Sequence, residues 1–197
     1  MPTQEQRREA TRNRLIETAR KLIIAEGVQG TTTRTILDAA GVSRGAMYHH
    51  YASVEDLVAA VYERESKGAI QQALENNEAA SSPFEQLIGT SLSWLEALTD
   101  FDVAKILIIE GPAAIGWERC RKIETKHSLA QMKAWLEEAN ASGEIKIENA
   151  DLVVRMLNAI LTEAALSIVR SKGARAAQEE AQRTFLQFVG GLKKGTS

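Results

Sequence analysis

Residues 44–51 read Arg-Gly-Ala-Met-Tyr-His-His-Tyr, placing one guanidinium, two phenols and two imidazoles within about two helical turns. That is more hydrogen-bonding chemistry than a solvated helix face needs. Gly45 removes a Cβ near the start of the stretch and lets backbone approach a partner closely. Just upstream, Ala39 and Ala40 are small enough for two helices to cross. Gly41 permits a left-handed bend, Val42 fills the apolar wedge and Ser43 is a helix cap. Residues 32–51 therefore have the layout of a helix-turn-helix. Its second helix suits a major groove, with its first residues toward base edges.

Other reactive residues carry less. Cys120 and His127 are seven apart, which puts them on a shared helix face only at about 10 Å, so Cys120 reads as a packing residue. His49 and His50 have no third ligand at metal-binding spacing, and neither a metal nor a cofactor is expected. No glycine-rich phosphate loop, paired-carboxylate motif or nucleophile elbow stands out. No catalytic residue is assigned and the chain is not expected to be an enzyme.

The elements that must position the motif follow from composition and periodicity. The 197 residues are 44% apolar, with three prolines and one cysteine. That excludes wholesale disorder, a turn-rich all-β chain and a disulfide-stapled scaffold. No apolar run approaches ~18–20 residues, so neither a membrane span nor a membrane partner is expected. The polar first fourteen residues lack a signal-peptide core, and a cytoplasmic location is expected. Formal net charge is −2, but residues 1–51 carry +3 and the remainder −5. A basic head on an acidic body points toward a polyanionic partner.

Leu15, Ala19, Leu22 and Ile23 mark a first helix stopped by Gly27. Thr33 is the best-placed cap for a helix over 34–40, Ser43 caps one to about Tyr51, and Ser53 caps a fourth. Residues 76–82 read as a loop before a helix opened by Pro83. An apolar helix over 100–110 is expected to end at Gly111-Pro112. Long helices follow at 115–141, 151–171 and about 174–194. The fold class is all-α, with about nine helices and no strand. Its N-terminal helix-turn-helix domain spans residues 1–67, and its helical effector-binding and dimerisation domain spans 68–197.

Gly30-Thr-Thr-Thr33, Ile36-x-x-Ala39-Ala40-Gly41-Val42-Ser43-x-Gly45-x-x-Tyr48-x-His50-Tyr51 and Glu55-x-Leu57 together resemble the tetracycline-repressor (TetR) family of bacterial transcription regulators. The resemblance covers about residues 12–62. It implies a homodimer that binds a palindromic double-stranded DNA operator through its heads and is released by a small-molecule effector. It also implies residue roles. Thr33 would cap the second helix and bind a phosphate. Arg34 would reach a phosphate or a guanine. Arg44 and Ala46 would face bases, Tyr48 and His50 would bind backbone phosphate, and His49 would face the groove; Ser43 and Gly45 complete the interface. Val54 stands where the family usually has a phosphate-binding lysine, and Leu37 where it usually has a small alanine. The second reading, from another class, is a helical-bundle enzyme or protein-interaction adaptor that retains the head.

For the effector, the candidate lining is Leu95, Ile106, Glu110, Trp117, Met132, Asn158 and Glu163, with Trp94 and Trp135 as further aromatic candidates. Bulky apolar residues dominate it, so a mostly apolar compound is expected. Glu110 and Glu163 also leave room for a lipophilic cation, unless rotation puts either carboxylate in water. For the dimer, Met156, Ile160, Ala164 and Ile168 lie on one row of the penultimate helix. Ala181, Phe185, Phe188 and Leu192 lie on a seam of the last, and together they suggest a four-helix interface.

Overall fold

The computed structural model describes residues 3–171 and 175–193. These are helical almost throughout, with no strand among them. The helices are α1 (Gln4–Gly30), α2 (Thr33–Ala40), α3 (Arg44–His50), α4 (Val54–Glu75), α5 (Pro83–Ala97), α6 (Phe101–Ala104), α7 (Gly111–Ile115), α8 (Trp117–Glu124), α9 (Ala130–Ala141), α10 (Ala150–Arg170) and α11 (Arg175–Gly190). A π-helical segment, Lys105–Glu110, joins α6 to α7, and a second, Thr125–Leu129, joins α8 to α9. Counted as continuous stretches, the described residues form nine helices. Gly111-Pro112 does not end its helix as the sequence suggests. Pro112 falls in the first turn of α7, where its missing N–H is not needed, and the π turn before it absorbs the change of register.

The chain divides into two compact units. The first takes in the chain up to Glu65 together with Lys105–Arg121; the second takes in Ser66–Ala104 and the chain from Lys122 onward. A sequence boundary at 67/68 therefore misses Lys105–Arg121, which folds with the head. Three contacts inside the first unit account for it. Lys105 Nζ donates to the Ile24 carbonyl at 2.7 Å, Val28 N–H donates to Glu110 Oε2 at 2.8 Å, and Arg119 meets Asp56 Oδ1 at 2.6 Å.

The first two contacts have one cause. Gly27 takes φ 71°, ψ 177°, a conformation open essentially to glycine alone, so the helix breaks there. In an unbroken helix Val28 N–H would bond to Ile24 C=O. The break orphans both groups, and Glu110 and Lys105 satisfy them one each. Ion pairs then tie α1 to α4: Arg20 to Glu65 at 3.0 Å and Arg64 to Glu17 at 3.0 Å. Beneath them Leu15, Ala19, Ile23, Ile36, Met47, Leu57 and Val61 are fully buried.

In the second unit α5 packs on α9, and α10 and α11 pack on each other. Leu87, Leu95, Leu136, Ala165, Ile168 and Phe185 are buried among them. One described helix, α10, is long and apolar enough to cross a membrane, which the sequence reading did not anticipate; only a third of that apolar window is buried.

Gly27→Ala should destabilise the head by about 1–3 kcal/mol, because alanine strains at that φ and its Cβ would meet Glu110 Oε1 at 3.1 Å. Glu110→Ala should cost a similar ~1–3 kcal/mol by leaving the half-buried Val28 N–H unpaired. Urea denaturation measures both; unchanged midpoints would mean that water replaces the carboxylate at no cost.

Candidate nucleic-acid interface

The helix-turn-helix is built by its caps. Thr32, not Thr33, caps α2. Thr32 Oγ1 accepts from Thr35 N–H at 3.2 Å, and Thr35 Oγ1 accepts from Thr32 N–H at 2.9 Å. This reciprocal box needs the cap and the third helical residue to be hydroxyl-bearing, and only the Thr32–Thr35 pair provides that. Thr33 is instead the first helical residue, at the positive end of the α2 dipole. Gly41 closes α2 in the left-handed conformation, φ 63°. Ser43 Oγ then accepts from Ala46 N–H to start α3, and Ser53 Oγ accepts from Asp56 N–H to start α4.

α3 has two unlike sides. Met47 is completely buried and anchors the helix, while Arg44, Gly45, His49 and Tyr48 are exposed, Tyr48 at 44%. Ser43 is also exposed, and Ala46 and His50 are half-buried. Nothing lies within 4 Å of where a Gly45 Cβ would stand, so the space is open to a partner. Arg34, on α2, is 91% exposed and only loosely held by Asp38 at 3.8 Å. The fold thus brings all nine sequence-assigned residues together on one unit.

The charge of the surface shows in two titrating groups. Burial holds the His50 imidazole below its ordinary pKa, and the charges of His49, Arg8 and Arg12 push it down further. Burial raises the Tyr51 phenol, while Arg12 and Arg64 oppose that. Arg8 and Arg12 were not singled out in the sequence, although their position one turn apart ahead of Leu15 was visible there. The His49 and His50 rings meet edge-on, 5.5 Å apart. No group of three metal-ligating side chains occurs among the described residues.

The effector candidates divide between the units. Ile106, Glu110 and Trp117 belong to the first; Leu95, Met132, Asn158 and Glu163 belong to the second. Leu95, Ile106 and Met132 are buried core. Trp117 is 50% exposed. Glu110 is taken by Val28, Asn158 Nδ2 donates weakly to Glu124 Oε2 at 3.4 Å, and Glu163 stands in solvent beside Arg170. Neither carboxylate is the buried, unpaired group that a lipophilic cation would need. A separate groove of about 490 Å³ in the second unit is lined by Leu74, Pro83, Gln86, Gln131, Trp135 and Glu138 among others.

The candidate dimer row is split between open and packed sides. Met156 is 57% exposed and Phe188 59%, with Leu152 and Leu186 exposed beside them on their own helices. Ile160, Ala164 and Leu192 are half-buried. Ile168, Ala181 and Phe185 are buried within the subunit and are not available to a second chain. An i, i+4 row drifts about 40° per step. Four steps carry it from the open side of α10 at Leu152 to the packed side at Ile168.

Residues 15–61 match the profile of "Bacterial regulatory proteins, tetR family", and residues 84–192 match "Tetracyclin repressor-like, C-terminal domain". The HTH-type transcriptional repressor KstR2 of Mycolicibacterium smegmatis is 28% identical over 92% of this chain and 90% of its own. KstR2 of Mycobacterium tuberculosis is 26% identical over 93% of each. A TetR-family transcriptional regulator from Pectobacterium atrosepticum has the same fold, with a TM-score of 0.79 at 21% identity over 98% of this chain and 99% of that one. Two profiles of one family, one on the helix-turn-helix and one on most of the second unit, lead to one conclusion: the chain belongs to the TetR family of bacterial transcriptional regulators, DNA-binding repressors rather than enzymes.

Proposed function

We propose that this regulator binds a palindromic operator as a homodimer and is released by a small, mostly apolar effector. The observation that carries the reading is the two-sided α3: Met47 locks it into the head while Arg44, Tyr48 and His49 stand in solvent, with no carboxylate among the described residues paired to Arg44. Arg44 and Ala46 face base edges, Arg44 suiting guanine O6 and N7. Thr33, Arg34, Tyr48 and His50 hold backbone phosphates, which position the head without specifying sequence. The site of action is the cytoplasm, where a bacterial chromosome lies.

The exposed apolar side chains of α10 and α11 support dimerisation. Leu152, Met156, Leu186 and Phe188 are each more than 40% exposed, on the two helices that the C-terminal family profile includes. Four helices, two from each subunit, would cover them. Two heads so fixed meet successive major grooves about 34–36 Å apart, so a small change in their spacing prevents simultaneous docking. The second unit receives the effector. Its groove has an aromatic wall in Trp135, apolar Leu74 and Pro83, and Gln86 and Gln131 to orient a polar atom.

Arg44→Ala should lower affinity by about 1–3 kcal/mol and relax preference at one base position. Tyr48→Phe should weaken all sequences alike. Selection of duplexes from a random pool reads both, and a uniform loss for Arg44→Ala would make it a phosphate contact. Met156→Lys with Phe188→Glu should convert the dimer to a folded monomer in sedimentation, with operator affinity collapsing; a variant that still sediments as a stable dimer overturns the interface. Neutral aromatic compounds should release bound DNA in a titration against matched anionic and cationic ones. Release by small hydrophilic anions alone would refute the apolar effector.

A further inference from the structure

α1 extends well beyond its core. Residues 3–14 are exposed apart from a half-buried Thr11, yet they are helical, started by a reciprocal Thr3–Gln6 capping box. No side chain of residues 3–14 is buried. Arg8 and Arg12 lie on the same row as Leu15, Ala19 and Ile23, so the stripe that faces the core simply changes from apolar to guanidinium where the core ends. About 6 Å of helix axis separates the two. The row starts upstream of residue 15, where the family profile begins.

The charges on this row differ from those farther along α1. Arg20 is paired with Glu65, and Glu17 with Arg64. Among the described residues no carboxylate pairs with Arg8 or Arg12. Glu5 and Glu9 stand to one side of the row and form no ion pair with it. The fields of Arg8 and Arg12 reach His50 at the end of α3, where burial first, and then His49 and the two arginines, hold the imidazole below its ordinary pKa. Next to it Tyr51 is 7% exposed, and the Arg12 guanidinium reaches toward its hydroxyl, with Arg64 the other cation acting on it. The Arg8 and Arg12 guanidiniums are left without carboxylate partners at this edge of the head. A multivalent anion pairs with both at once.

We infer that Arg8 and Arg12, with His50, form a second phosphate site on the head, which takes the backbone of duplex DNA beyond the stretch contacted from the Arg44 end of α3. The inference rests on the DNA-binding reading above and extends its footprint. Arg44 opens α3 and His50 closes it, so the two sites grip the DNA from opposite ends of the recognition helix. The second site reads no bases. It adds affinity, holds α1 against the backbone and fixes the angle at which α3 enters the groove.

The test is fluorescence anisotropy of a labelled 30-base-pair duplex of mixed sequence, titrated across a range of KCl concentrations. Each phosphate contact contributes about 0.9 to the slope of log affinity against log salt. Arg8→Ala/Arg12→Ala should make the slope shallower by roughly two per head, with the same fold-loss on a second, unrelated duplex. Arg8→Lys/Arg12→Lys should restore most of the slope, because charge and not bidentate geometry sets counterion release. Circular dichroism at the assay temperature should show both variants folded, so that the change of slope reads DNA contact and not unfolding. An alanine variant that keeps the wild-type slope while wild type binds steeply would overturn this site and leave the DNA-binding reading intact. A loss confined to one duplex would overturn the phosphate assignment. A wild-type protein that binds neither duplex at low salt would overturn the DNA-binding reading, and this site with it.

Discussion

One missing hydrogen bond organises the head. Because Gly27 leaves helical geometry, the Ile24 carbonyl and the Val28 amide lose each other, and a half-buried helix end cannot leave both unpaired. Lys105 and Glu110, five residues apart on a π-helical segment, supply the donor and the acceptor instead, respectively. An α-helix places residues five apart on diverging directions; the wider π turn brings them closer to one side. The glycine, the π segment and the assignment of 105–121 to the head are thus one structural fact. The end of α1, from which the chain enters the helix-turn-helix, is held by side chains more than eighty residues away in sequence.

This explains which parts of the protein were legible in its sequence. The helix-turn-helix is local: its caps, its left-handed glycine and its buried Met47 act over three or four residues, and all stand in order along the chain. Even there, three consecutive threonines leave the cap ambiguous. Thr32 is chosen because Thr35 answers it, while Thr33 has no partner three residues on. The role of Glu110 was not legible. A carboxylate in an apolar stretch suggests a buried ligand partner, and only the fold reveals a backbone amide 82 residues distant. The dimer row failed for a geometric reason. Apolar residues at strict four-residue spacing look like one face, but over the four steps from Leu152 to Ile168 such a row winds almost half-way round the helix.

The composition of α10 follows from the same distinction between packed and open sides. Its hydropathy would suit a membrane, yet its apolar residues serve two surfaces. Val154, Leu157, Leu161, Ala165 and Ile168 pack inside the second unit, while Leu152 and Met156 remain outside. Toward its C-terminal end the outward residues become Glu163, Ser167 and Arg170, and a salt bridge replaces apolar contact. The open apolar strip is therefore limited to one part of the helix, as a specific contact requires and a lipid-facing helix would not show.

The recognition helix is itself too short to be stable alone. Isolated helices below about 12–15 residues are marginal in water, and α2 and α3 have eight and seven. Their geometry comes from caps at each start and from Ile36, Ala40 and Met47 buried beneath them. Those residues rest on α1, which is itself fixed to α4 by Arg20–Glu65 and Arg64–Glu17 and at its far end by Glu110 and Lys105. The cations on α1 and α4 that are ion-paired belong to this frame, and Arg8, Arg12 and Arg44, outside it, are not paired. Ion-paired charge that holds α3 in place and unpaired charge on the exposed surface are segregated within one small unit, so the frame can be rigid without neutralising the surface that it presents.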